Sequence, residues 1–141
     1  MTQDEKLHKE IDLIQNCITR MANNSFLIKG WLLSIFAVVI ALLAEEIRIY
    51  NLAAALIVPT LSFWYLDAFF LQAEKKYRLL YKWVIKKRLK TDKHLYNLNP
   101  KRFANEAGSV PSVMFSKTLI VFYGLPYLGI IVLFIVDYWF K

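Results

Sequence analysis

Apolar and polar positions follow one another in long blocks along the 141-residue chain, and the spacing inside each block names an element. Leu7, Ile11, Ile14, Ile18 and Met21 recur in steps of four and three, the seam of an amphipathic helix that packs on another helix. The pattern predicts a cytoplasmic amphipathic helix over 1–24, packed within its own chain in preference to an oligomer contact. An almost uncharged block covers 25–44; roughly 20 residues give about 30 Å of helix, enough to cross the hydrocarbon of a bilayer. A second block, 50–73, carries Pro59 near its middle, which a membrane helix tolerates where neighbours satisfy the freed carbonyl. The short connection through Glu45, Glu46 and Arg48 makes the two spans an antiparallel hairpin.

After Ala73 the pattern turns basic, with Tyr77, Leu80, Tyr81 and Val84 at helical spacing among lysines and arginines. The second helix is therefore expected to continue as a basic amphipathic extension, within a basic cytoplasmic segment over 74–112. Asn99-Pro100, Gly108-Ser109 and Val110-Pro111-Ser112 read as turn and breaker chemistry, marking 97–112 as the linker. A last apolar block over 113–140 contains Gly124, Pro126 and Gly129 and is long enough for one tilted span but not for a hairpin. A re-entrant path around Gly124-Leu125-Pro126 is the minor alternative. The fold class that follows is all-α: one integral membrane domain of three transmembrane helices with an amphipathic N-terminal helix and a basic helical extension.

Composition supports the assignment. Hydrophobic residues make up 57% of the chain and its mean hydropathy is +0.38, above the usual share of a soluble domain. The start of the chain stays polar through Arg20, unlike a cleavable signal. Eleven of the eighteen Lys and Arg residues lie between Lys75 and Arg102, against Arg48 alone between the first two spans. By the positive-inside rule the N-terminus and the segment 74–112 are cytoplasmic, and the C-terminus lies on the periplasmic side of an inner membrane. The net charge of +7 then points to anionic lipid headgroups and not to nucleic acid. Trp31, Tyr50, Trp64, Tyr138 and Trp139 fall toward span ends, where amphipathic rings favour the interface.

Charges inside apolar blocks are the candidate chemistry. Lys29 and Asp67 fall at nearly the same depth on the first two spans, and an unpartnered charge there costs about 2.5–3.5 kcal/mol. The expectation is an intramembrane ion pair, against a snorkelling Lys29 or an ion pathway through Asp67. Asp137 and Arg48 are level at the other face, with hydration the favoured reading of Asp137. Gly30, Ser34, Ala37, Ala41 and Ala44 also recur in steps of four and three, a packing stripe that predicts a close helix neighbour, in the chain itself or in a homo-oligomer.

Cys17 has no local motif and excludes an intrachain disulfide; His8 and His94 lack ligand spacing. No phosphate loop, nucleophile motif or metalloprotease helix occurs. A non-enzymatic protein with no cofactor is expected.

Two segments, Arg20-Met21-Ala22-Asn23-Asn24-Ser25-Phe26-Leu27-Ile28-Lys29-Gly30-Trp31 and Phe63-Trp64-Tyr65-Leu66-Asp67-Ala68-Phe69-Phe70-Leu71-Gln72 running into Glu74–Tyr81, resemble a family of small, poorly characterised bacterial membrane proteins. The layout is also similar to the small membrane effectors of bacterial anti-phage systems. The resemblance implies a cytoplasmic-face cluster of Arg20, Asn23, Asn24, Lys29 and Asp67, and a protein that permeabilises the inner membrane on command. A membrane anchor or adaptor recruiting a soluble protein through its basic segment, or a small ion or solute channel, are the alternatives.

Overall fold

The computed structural model describes residues 2–43 and 49–139. Five helices and two short 3-10 turns account for nearly all of them, and no strand occurs among the described residues. Helix α1 (Gln3–Leu43) and helix α2 (Ile49–Lys87) have 41 and 39 residues, about 60 Å each at 1.5 Å per residue. Both are long and apolar enough to cross a membrane. A 3-10 turn at Arg88–Lys90 ends α2; a second at Pro100–Phe103 leads into α3 (Ala104–Ala107), α4 (Val110–Met114) and α5 (Lys117–Trp139).

α1 and α2 pack side by side along most of their length, and two clusters hold them. In the polar half, Ile14 and Ile18 of α1 meet Leu80 and Val84 of α2, with Leu7, Ile11 and Tyr77 at the edge and Phe103 closing the cluster. This is ordinary hydrophobic burial, and it gives the seam read from Leu7 to Met21 a partner within the chain. In the apolar half, Leu32 and Ala68 join Val113, Leu119 and Tyr123, so α4 and α5 pack against the hairpin there.

The seam of α1 does not stop at Met21. It continues in the same steps of four and three through Ser25, Ile28 and Leu32, all buried, so one face carries the packing across the change from polar to apolar sequence. α2 also runs unbroken through Pro59. Thr60 Oγ1 donates to the Leu56 carbonyl at 2.7 Å and Ser62 Oγ to the Val58 carbonyl at 2.9 Å, the hydroxyl back-bonding that accompanies a helical proline.

Several details add to or differ from the sequence expectations. The helical extension ends by Lys90, and the remainder of 74–112 is built from turns and short helices. The residues read as breakers start helices: Asn99 caps Lys101 N ahead of Pro100, and Ser109 caps Ser112 N ahead of Pro111. Proline belongs in a first helical turn because no intrahelical partner awaits its missing N–H. The last apolar block is not one helix from 113, because the chain turns at Phe115–Ser116 and α5 begins at Lys117. Of the two neighbours left open for the small-residue stripe, the chain's own helices are not the one it meets: Gly30, Ser34, Ala37 and Ala41 are exposed; Ala44 lies outside the described residues. α5 passes through Gly124 and Pro126 as one helix, without the re-entrant break.

Candidate functional site

Asp67 has no exposed surface. Lys29 Nζ lies 2.5 Å from its Oδ2, Ser25 Oγ donates to its Oδ1, and Tyr123 Oη donates to Oδ2 at 3.0 Å. Lys29 Nζ also donates to Ser25 Oγ at 2.9 Å, and the Tyr123 hydroxyl lies 3.3 Å from the Phe63 carbonyl. One carboxylate on α2 thus gathers two side chains of α1 and one of α5. Helical geometry explains the α1 half: Ser25 and Lys29 are four apart and share a face. Tyr123 is held by its ring, which stacks on Trp64 at 5.8 Å and 8°, while Trp64 Nε1 donates to the Met114 carbonyl at 2.9 Å. Trp64 is accordingly a packing residue of the α2–α5 contact.

Such a node can fasten helices, since each carboxylate oxygen has a partner on a neighbouring helix. Lys29 retains 22% side-chain exposure, and its ammonium also lies 5.8 Å from the Phe122 ring centroid. Toward the N-terminal end of α2 and the C-terminal end of α5, an apolar cleft of about 330 Å³ separates Ala53, Ala54 and Ile57 from Tyr127 and Phe134.

A second buried charge pair lies at the far end of the polar half. The Arg88 guanidinium grips both carboxylate oxygens of Glu10, with Nη2 to Oε1 at 2.8 Å. Arg88 also donates to the carbonyls of Thr91, Lys93 and His94 at 2.9, 3.1 and 3.4 Å. It therefore ties α1 to α2 and folds the following turn over the end of the hairpin. Arg102 stacks on the Trp83 ring at 4.2 Å; burial, and then the charge of Arg88, pull its pKa below the usual arginine range. Lys6 Nζ reaches Asp92 Oδ2 at 2.8 Å, and that bond leads the causes that hold the Asp92 carboxyl below its ordinary 3.8. Tyr77 is pushed up by burial and by the neighbouring Cys17, while Arg20 pulls the other way.

Of the residues singled out in the sequence, Lys29 and Asp67 are brought together. Arg20 and Asn23 are exposed and Asn24 is half-buried, on the α1 side away from the Asp67 node. Arg48 and the side chain of Asp137 lie outside the described residues. His8 and His94 are exposed, His94 with its ring 6.3 Å from Trp83. No group of His, Cys, Asp or Glu among the described residues could hold a metal ion.

Ser25, Tyr123, Glu10 and Arg88 were not expected. Extending the seam by one step finds Ser25. Arg88, the first residue past α2, stands three heptads beyond Asp67, a regularity masked by the surrounding run of lysines. Tyr123 carries no such signal, because α5 is apolar on every side.

No curated protein and no solved structure matches the chain. The family model described as a domain of unknown function (DUF4395) matches residues 23–139, a stretch that holds Ser25, Lys29, Asp67 and Tyr123 and leaves out Glu10, and the chain belongs to that family.

Proposed function

We propose that the protein is a non-enzymatic, three-span protein of a bacterial inner membrane, self-associating, that works as the membrane component or effector of a defence or toxin-like system. The observation that carries the membrane reading is the division of one continuous hairpin into two unlike halves. The polar half closes its own core and buries its ion pair. The apolar half leaves Phe26, Trp31, Val38, Ile40 and Val58 more than half exposed, an apolar surface that a soluble monomer does not present to water. In lipid, helix association gains little from apolar burial and relies on packing and polar links, and the Asp67 node supplies such a link to all three spans. The outward stripe of Gly30, Ser34, Ala37 and Ala41 leaves a face on which a second copy can pack.

The effector role draws on the likeness of layout to small membrane effectors. Its test is a dye-leak assay on induced cells, with leakage that falls on Asp67→Ala or on Ala37→Phe in the stripe. An anchor role draws on the folded basic tip, where Lys90, Lys93 and Lys101 stand exposed beside Lys86 and Lys87, the last two roughly 30 Å along α2 from Asp67. Capture of a soluble protein without leakage would favour the anchor. Cysteines placed at 90 and 101 should react only after the inner membrane is opened; labelling in intact cells would overturn the orientation.

A further inference from the structure

On the side of the hairpin away from α5, α1 and α2 enclose a groove of about 320 Å³, lined by Asn24, Leu27, Ile28 and Trp31 of α1 and Leu66 and Phe70 of α2. Its composition is graded along the helix axes. Leu27, Trp31, Leu66 and Phe70 make the deep part apolar, and Asn24 marks the change to the polar half. Arg20 continues the line, since Arg20, Asn24, Leu27 and Trp31 follow one another in steps of four, three and four and share a helix face. Across the groove, Phe70 and Tyr77 of α2 stand seven apart on the corresponding face, and Arg20 acts electrostatically on the Tyr77 hydroxyl.

Arg20 is exposed. Among the described residues it has no carboxylate partner, in contrast to Lys6, Lys29, Arg78 and Arg88, and the Asn24 amide makes no hydrogen bond there. With the hydrocarbon beginning near Ser25, Arg20 stands about 7.5 Å above it, at the outer edge of a headgroup layer of about 5–7.5 Å. We propose that this groove binds one anionic phospholipid, its acyl chain along Leu27, Trp31, Leu66 and Phe70 and its phosphate against Arg20 and Asn24. A guanidinium matches a phosphate in charge and in forked geometry, and the neutral amide adds a donor. The proposal rests on the membrane reading above. It goes further by choosing a lipid class and a seat, where a stripe of surface lysines would give only diffuse attraction.

The test uses the full chain in phosphatidylcholine vesicles that carry a minority of phosphatidylglycerol, with one lipid or the other brominated at equal abundance. The Trp31 signal is the difference between the wild type and Trp31→Phe. Trp31 should be quenched about fivefold more effectively by brominated phosphatidylglycerol, the enrichment that about 1 kcal/mol for one cation at the headgroups gives. Arg20→Gln should bring that preference down to the phosphatidylcholine level, and Lys117→Gln, which removes one exposed cation elsewhere, should leave it. Equal quenching by the two lipids overturns the lipid site while leaving the membrane reading in place. So does an equal loss with Lys117→Gln, or a Trp31 screened from both lipids with a cysteine at 31 cross-linking to a second copy. A chain that stays out of the vesicles overturns both readings.

Discussion

Glu10 and Arg88 are separated by 78 positions in the chain and meet as a two-pronged ion pair in which neither side chain is more than 1% exposed. The pair closes the hairpin at the end farthest from the Asp67 node. Both charges are desolvated, and such a pair holds only while each has the other.

Removing one partner should therefore be worse than removing both. Glu10→Ala strands the guanidinium and should cost about 3–5 kcal/mol, read as a fall in the thermal midpoint of the detergent-solubilised protein. The double replacement Glu10→Leu with Arg88→Met should recover most of that loss. It should still leave the carbonyls of Thr91, Lys93 and His94 without their donor, so limited proteolysis should cut the 91–99 turn faster in the double variant than in the wild type.

At the Asp67 node the two single variants should be unequal. Lys29→Ala leaves a wholly buried carboxylate with two hydroxyl donors and no cation, a loss of about 3–5 kcal/mol. Asp67→Asn leaves a cation that is already 22% exposed and whose stem can carry it to the headgroups, so the loss should be smaller. Exchange of the two charges should restore little, because a lysine at 67 would sit where the carboxylate has no exposed surface. Expression level and melting temperature of the three variants check the order.

Tyr123→Phe keeps the ring stacked on Trp64 and deletes the hydroxyl that reaches Asp67. A neutral donor bonded to a charged acceptor is worth about 1.5–3 kcal/mol. α5 should loosen from the hairpin while α1 and α2 stay paired. A cysteine at the buried Ala68 position should then react faster with a membrane-permeant maleimide, and an unchanged rate would mean that the ring alone holds α5.

The Lys6–Asp92 contact should respond to acid. The folded-state pKa of Asp92 is below its ordinary 3.8, so the stabilisation is complete above that value. It is lost as pH falls below 3.8 and through the lower folded pKa. Asp92→Asn should abolish this component of the acid dependence while leaving neutral-pH melting nearly unchanged, since the carboxylate is on the surface.

Periodicity made most of the helical layout legible. The seam from Leu7 predicted a helix–helix contact, and the contact is found against Leu80 and Val84. Lys29 and Asp67 could be matched by counting depth along two antiparallel helices. The small-residue stripe left its neighbour open between the chain and a second copy, because residue size does not say which side of a helix faces the chain's own partner. The buried side is the continuation of the seam, Ser25, Ile28 and Leu32. Proline and glycine between 97 and 112 were read as breakers because a breaker and an N-terminal cap use the same residues; the caps of Asn99 and Ser109 depend on one side-chain hydrogen bond each. Gln72 Nε2 donating to the Gly108 carbonyl at 2.7 Å links residues 36 apart, a pairing that no local pattern encodes.

The unbroken run of α1 from Gln3 to Leu43 has a mechanical meaning. A rod without a joint is a lever, and the Asp67 node, near its midpoint, is the fulcrum. A partner that pushes the end carrying Glu10 sideways would swing the end carrying Ala41 the other way, so a force on one half of the protein would be felt at the far end of the other without any diffusible messenger.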